Sequence, residues 1–327
     1  MLKFDKLKIV VNSSNYIDNI DTNEFNTIIK DDAITQYRFQ QTSPYLLYIE
    51  KDMVDDELII EFTGKILGPR YSELINRNNI RQCLENINTL GLCDLDIDGV
   101  LANGRIVKAD VTKDCMCGDI PSLTREIKSC VKNNDRYTAI IKRGNMVIEK
   151  NVKTNNRKIR LTIYDKEKEM NLQENRHWLK SIRNDEVQDL LTFFKGKARF
   201  EMNLNSVKAI RDMLHIREND ILSVLWAEAD PISSFLNEAL VDNVEAKEVR
   251  TLHDAERMAL LKEHDYDMKA VESVIKLFKS PNTNLSQAMK PYRELYNTLH
   301  NEEATSLKER LRGMLLEIFL VGFIVLF

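Results

Sequence analysis

With 327 residues, 43% of them hydrophobic and 30% charged, and only ten glycines and six prolines, the chain is too rich in core-forming side chains for a disordered or low-complexity protein. It is also long enough for two or three domains of about 100 to 150 residues each. A formal net charge of −4 excludes a surface coated uniformly in positive charge, so any contact with nucleic acid must use a local basic surface.

Residues 1 to about 75 hold strand-like runs, LKIVV, YLLYIE and ELIIEF, separated by Asn/Asp-rich connections, and GPRYSELINRNNIRQCLENINTLGL then reads as helix. From Ile106 to about Leu204 alternating strands recur, RIVKADVT, YTAIIKRG, NMVIEKNV, KIRLTIYD and ARFEMNL, with a helical segment around Leu179 to Phe194 inserted before the last. After Asn205 apolar residues fall three or four apart almost to the end, as in SVKAIRDML, ISSFLNEAL, AERMALLKEH and KAVESVIKLF. SPNTN at 280–284 breaks that pattern, and the helices flanking it are a candidate DNA-reading helix-turn-helix. The expected fold is α+β: an antiparallel-sheet core with packed helices, a β-rich module over 1–75, a catalytic core over 76–205, and a helical recognition or oligomerisation region over 206–327.

The five cysteines are odd in number, and the amino terminus lacks the charged-then-apolar pattern of a secretory leader, which points to a reduced, cytoplasmic setting. Cys115 and Cys117 make a C-x-C pair, but no second pair sits at zinc-ligand spacing, so buried free thiols are expected. The apolar tail IFLVGFIVLF, even counted from Met314, is interrupted by Glu317 and falls short of the ~18 residues of a membrane span. It reads as a docked terminal element, an interface or an altered chain end, and no membrane partner is expected.

Between Lys142 and Lys168 stand nine basic residues, among them Lys142, Arg143, Arg157, Lys158 and Arg160, against Glu149, Asp165 and Glu167, a local charge of +6. That run is either a solvated hairpin face or a phosphate-binding surface. Side chains alternate across a strand, so three strands can be divided into faces. Val107, Ala109 and Val111 then leave Lys108, Asp110 and Thr112 on the opposite face; Ile159, Leu161 and Ile163 leave Arg160, Thr162 and Tyr164; and Ala198, Phe200, Met202 and Leu204 leave Arg199, Glu201 and Asn203. If the three strands are neighbours, Asp110, Tyr164 and Glu201 share one open face with Arg160 and Arg199. Two carboxylates so placed suit a hard divalent cation, Mg²⁺ or Mn²⁺. Tyr164 could supply a phenolic nucleophile, and the basic side chains could hold phosphates.

IYDKEKEM at 163–170, with KADVTKD at 108–114 before it and ARFEMNL at 198–204 after it, resembles the tyrosine-type rolling-circle replication initiators, the replication initiation factors of small plasmids and the gene II/X replication proteins of phages. Their pattern is an R/K-x-D strand, a Y-x-K-x-x-E motif and an R-x-E strand, and the match covers about a hundred residues. The resemblance implies that Tyr164 is the nicking nucleophile, that Asp110 and Glu201 hold the metal, and that Lys166 and Arg199 occupy the family's basic positions and Glu169 its acidic one. Lys108 stands where an arginine is more usual, and Asp114 is a further candidate ligand. No His-hydrophobic-His triplet is present, unlike in the histidine-ligated nickases.

Such initiators bind a double-stranded origin, nick one strand, stay attached to its 5′ end and leave a 3′ hydroxyl for a host polymerase while a host helicase unwinds the duplex. The resemblance extends to a possible homodimer and to Tyr137 as a second tyrosine for strand transfer. The competing readings are a mobilisation relaxase with the same chemistry, a non-catalytic DNA-binding regulator that uses only the basic surface, and an interaction protein whose hairpin binds nothing.

Overall fold

A computed structural model describes residues 1–132, 136–151, 159–240 and 251–321. Its twelve strands are β1 (Phe4–Val11), β2 (Ile17–Asp18), β3 (Asn26–Lys30), β4 (Ala33–Gln41), β5 (Leu47–Asp52), β6 (Glu57–Thr63), β7 (Asp94–Leu95), β8 (Gly104–Met116), β9 (Tyr137–Lys142), β10 (Asn145–Lys150), β11 (Ile159–Asp165) and β12 (Lys197–Leu204). Ten of them form one sheet in the order β3-β4-β5-β6-β1-β8-β12-β11-β10-β9, and β2 pairs with β7 apart from it. The described pairings are antiparallel, and with the helices they give the α+β class expected from the alternation of the sequence.

The three strands that carry the motifs are indeed neighbours: β12 lies between β8 and β11. One face of the sheet is the main core, where Phe4, Leu7, Ile9, Ala109, Val111, Leu161, Ile163, Phe200 and Met202 are all buried. The face count fails at Val107. It is only half-buried, while Ile106 is fully buried. A register shift opposite Lys8 and Ile9 inserts one residue there, and such a bulge moves a side chain out of the alternation.

The chain divides into two compact units, residues 1–120 with 141–232, and residues 121–140 with 233–327. The expected boundary near residue 75 does not separate units, because β1 is hydrogen-bonded to both β6 and β8 and so the amino-terminal strands belong to the same sheet as the motif strands. In the first unit the stretch read as one long helix is split: a 3₁₀ segment Gly64–Glu73, a turn through Leu74 at φ 56°, and an α-helix Ile80–Asn88. In the second unit the helices Leu252–Glu263, Met268–Phe278 and Leu285–Val321 share a core of Leu261, Met268, Val271, Met289, Leu295 and Tyr296. Thr251 and Asp267 cap the first two through their side chains. The break at 280–284 is there, a turn closed by Thr283 N–H to Ser280 O at 2.9 Å. No described helix is long and apolar enough to cross a membrane, and residues 322–327 of the apolar tail lie outside the described residues. All five cysteines are free thiols, four buried and Cys117 half-buried.

Candidate active site

Strand β11 stops because Asp165, at the end of the alternating run, turns its carboxylate back onto the chain and accepts the Lys168 N–H at 3.0 Å, capping the helix Lys166–Met170. Tyr164 is thereby the last strand residue on the polar face, and Lys166 the first helical one. Across the ladder Tyr164 is opposite Arg199 and Thr162 is opposite Glu201; on the other side of β12, Arg199 is opposite Asp114 and Asn203 is opposite Asp110.

This register brings the three predicted residues together. The Tyr164 hydroxyl donates to Glu201 Oε2 at 3.0 Å. The Asn203 amide donates to Asp110 Oδ1 at 2.8 Å and, more weakly, to Glu201 Oε1 at 3.4 Å, so one side chain tethers both carboxylates. Burial, reinforced by the nearby Asp5 and Asp110 carboxylates, pushes the Glu201 acid up to about 7. Burial likewise pushes Asp110 up to about 6, against the pull of the Asn203 hydrogen bond and with the push of Asp5. Burial and then the charge of Glu201 raise the Tyr164 hydroxyl well above its ordinary value. The phenol is therefore held protonated, beside a carboxyl group able to take its proton near neutral pH.

Behind this trio is a buried charged network. Arg199 is wholly inaccessible and donates through Nε and Nη2 to the two oxygens of Asp114 at 2.6 and 2.7 Å, and through Nη1 to Asp5 and to the Tyr71 hydroxyl, both at 2.7 Å. Tyr71 in turn donates to Asp5 at 2.7 Å and accepts from Lys166 at 2.9 Å. The buried Lys166 is also ion-paired to Glu169, whose carboxylate and carbonyl accept from Asn175 at 3.2 and 2.6 Å. Burial, with Arg199 close by, lowers the Lys166 amine from its ordinary value. Burial opposes ionisation of Asp5, yet Arg199 and Lys166 outweigh it and hold that carboxyl below the usual range. The rings of Tyr71 and Phe194 lie against both cations, and Tyr71 is backed by Trp178, which it meets edge-on at 5.4 Å.

Several expectations change. Arg199, read as a DNA contact, is sealed from solvent and serves as the structural partner of two carboxylates. Asp114 is one of those carboxylates, with both oxygens engaged, and it leaves the set of metal candidates. Lys166 and Glu169 pair with each other beneath Tyr164, the amine 5.9 Å from its ring centroid. Arg160 is exposed and paired with Glu149 at 2.6 Å. Lys142 and Arg143 are exposed at a turn where Arg143 and Gly144 both take positive φ, 52° and 83°. Arg157 and Lys158 lie outside the described residues. Tyr137 is buried in the second unit against Phe235, with ring centroids 5.8 Å apart.

Sequence reasoning missed Asp5 and Tyr71. A register shift between Phe4 and Lys6 inserts Asp5 as a bulge residue, so it joins Lys6 on the polar face although the alternation of Leu7, Ile9 and Val11 would put it in the core. The odd placement of an aspartate inside an otherwise alternating strand, FDKLKIVV, is the available signal.

Asp110 and Glu201 offer hard oxygen donors, and no three His, Cys, Asp or Glu side chains group as a metal cage among the described residues. Two carboxylates tethered by one amide fit Mg²⁺ or Mn²⁺, which commonly take one or two carboxylates and complete their shells with water and substrate phosphate oxygens. Compared with known proteins, the chain matches no family model, no curated sequence and no solved structure.

Proposed function

We propose that this chain is a metal-dependent DNA nickase and strand transferase that starts rolling-circle replication, with Tyr164 as nucleophile. The observation that carries the reading is the Tyr164 hydroxyl donating at 3.0 Å to Glu201, itself tethered through Asn203 to Asp110. Tyr164 Oη attacks the scissile phosphorus as the bond to the 3′ oxygen breaks. The phenolic proton passes to Glu201, and the departing 3′ oxygen takes a proton from solvent. The product is a 5′-phosphotyrosine bond, which conserves the energy of the cleaved phosphodiester for rejoining, and a 3′ hydroxyl for a host polymerase.

Asp110 and Glu201 would hold the Mg²⁺ or Mn²⁺, which when bound supplies charge to polarise the phosphate. Lys166, beneath the Tyr164 ring, supports the negative charge that develops on the phenolic oxygen. Asp5, Tyr71 and Arg199 position Lys166 and fix the floor of the site. The resemblance of 163–170 and its flanking strands to the tyrosine-type initiators supports the same assignment, with origin DNA, its nicked strand, a host helicase and a host polymerase as partners.

The test is incubation with supercoiled DNA carrying the element's own origin, with and without Mn²⁺, followed by mass spectrometry of nuclease-digested protein. A metal-dependent nick with a nucleotide on Tyr164 is expected. Tyr164→Phe should lose the nick and the adduct while keeping DNA binding. Salt-sensitive binding by the wild type with neither nick nor adduct would make the chain a regulator.

A further inference from the structure

Beside the Asp110–Glu201 pair the sheet carries a cluster of lysines that the chain neutralises only in part. Lys8 on β1 stands directly opposite Lys108 on β8, and like charges so placed destabilise a sheet. Two residues along, Lys6 stands opposite Asp110 but is ion-paired to Glu61. That same carboxylate is 3.9 Å from Lys8, so a single acid serves two ammonium groups. Lys108 is exposed and has no ion-pair partner among the described residues, while Asp110 is engaged by Asn203. Lys8 is held over the Tyr48 ring, 5.6 Å from its centroid, which limits how far it can swing from its neighbour. Three ammonium groups and one carboxylate thus form a cationic row along the edge of the acidic pair.

We propose that Lys8 and Lys108 form a phosphate clamp for a DNA single strand, gripping the backbone of the strand presented to Tyr164 at a phosphate further along it from the scissile one. Two residues of strand separate Lys108 from Asp110, about 6.8 Å of rise, so the clamp and the acidic pair lie side by side on one face. A bound phosphate between the lysines converts their repulsion into two attractions. The grip is on the backbone and is independent of base sequence. This inference rests on the proposed nickase reading, from which its test can be separated.

The probe is a fluorescein-labelled single-stranded DNA oligonucleotide of mixed sequence, titrated by anisotropy over a salt series. In Lys8→Gln/Lys108→Gln the log–log salt slope should fall by about 0.7 for each phosphate no longer neutralised, and by the same amount for unrelated sequences. Lys8→Arg/Lys108→Arg should restore it. Because a repulsion is removed, the Gln pair should be no less stable than the wild type in urea; if it fails to fold, the exposed single variant Lys108→Ala carries the same readout. Unchanged affinity and slope in the variants would overturn the clamp. Clamp-dependent binding without any nick would sink the nickase reading and leave the clamp standing, whereas nicking with lysine-independent binding would do the reverse.

Discussion

Replacing Glu201 with glutamine tests whether the candidate site is held at a cost to the fold. Glu201 sits half-buried beside Asp110 and near Asp5, and its carboxyl is pushed from 4.5 to about 7. In an unfolded chain the same group ionises at its ordinary value. Between about pH 4.5 and 7 the folded protein therefore keeps a proton that the unfolded chain releases, so this group lowers stability as pH rises through that window and withholds its full contribution above 7. At about 1.4 kcal/mol per tenfold change in proton affinity, the ionised form carries a penalty of about 3 kcal/mol. Glutamine keeps the acceptor for the Tyr164 hydroxyl and cannot ionise. Urea denaturation followed by circular dichroism should then find Glu201→Gln more stable than the wild type by up to about 3 kcal/mol at pH 8 and equal to it near pH 4.5. Millimolar Mn²⁺ should narrow the gap at pH 8 by stabilising the wild type alone, since a metal that binds only the folded carboxylate pair adds to stability. A glutamine variant less stable than the wild type at pH 8, or one with the same pH slope, would refute the reasoning.

The buried network makes sharper demands. Arg199→Ala would strand Asp114 and Asp5 without their cation and should cost roughly 3 to 5 kcal/mol, measured as a fall in the urea midpoint. Arg199→Lys should recover only part of that loss, because an ammonium cannot reproduce the two-pronged contact with Asp114. Tyr71→Phe removes the hydroxyl shared by Asp5, Arg199 and Lys166 and should cost roughly 1 to 3 kcal/mol. Its diagnostic reading is a slower nick by an otherwise folded protein, since Lys166 then keeps Glu169 but loses the Tyr71 hydroxyl that helps hold it beneath Tyr164.

The alternation of apolar residues was enough to identify RIVKADVT, KIRLTIYD and ARFEMNL as strands and to assign Asp110, Tyr164 and Glu201 each to the polar face of its own strand, because a strand's two-residue period depends on nothing beyond the strand itself. The helices after residue 205 were legible for the same local reason, with side-chain caps at Thr251 and Asp267. The order of the strands was not. That β1 lies between β6 and β8, joining the first 75 residues to the motif strands, is a long-range pairing decided by which faces can be buried together. Bulges at Asp5 and Val107 shift single residues out of the alternation, and only the partner strand's register exposes them. The fate of each charge is likewise tertiary: Arg199 and Arg160 occupy equivalent polar-face positions on neighbouring strands, yet one is enclosed by Asp5, Asp114 and the rings of Tyr71 and Phe194 while the other stands in solvent against Glu149. A charged side chain is tolerated in the interior only where partners from distant parts of the chain meet it, and those meetings are made by the fold.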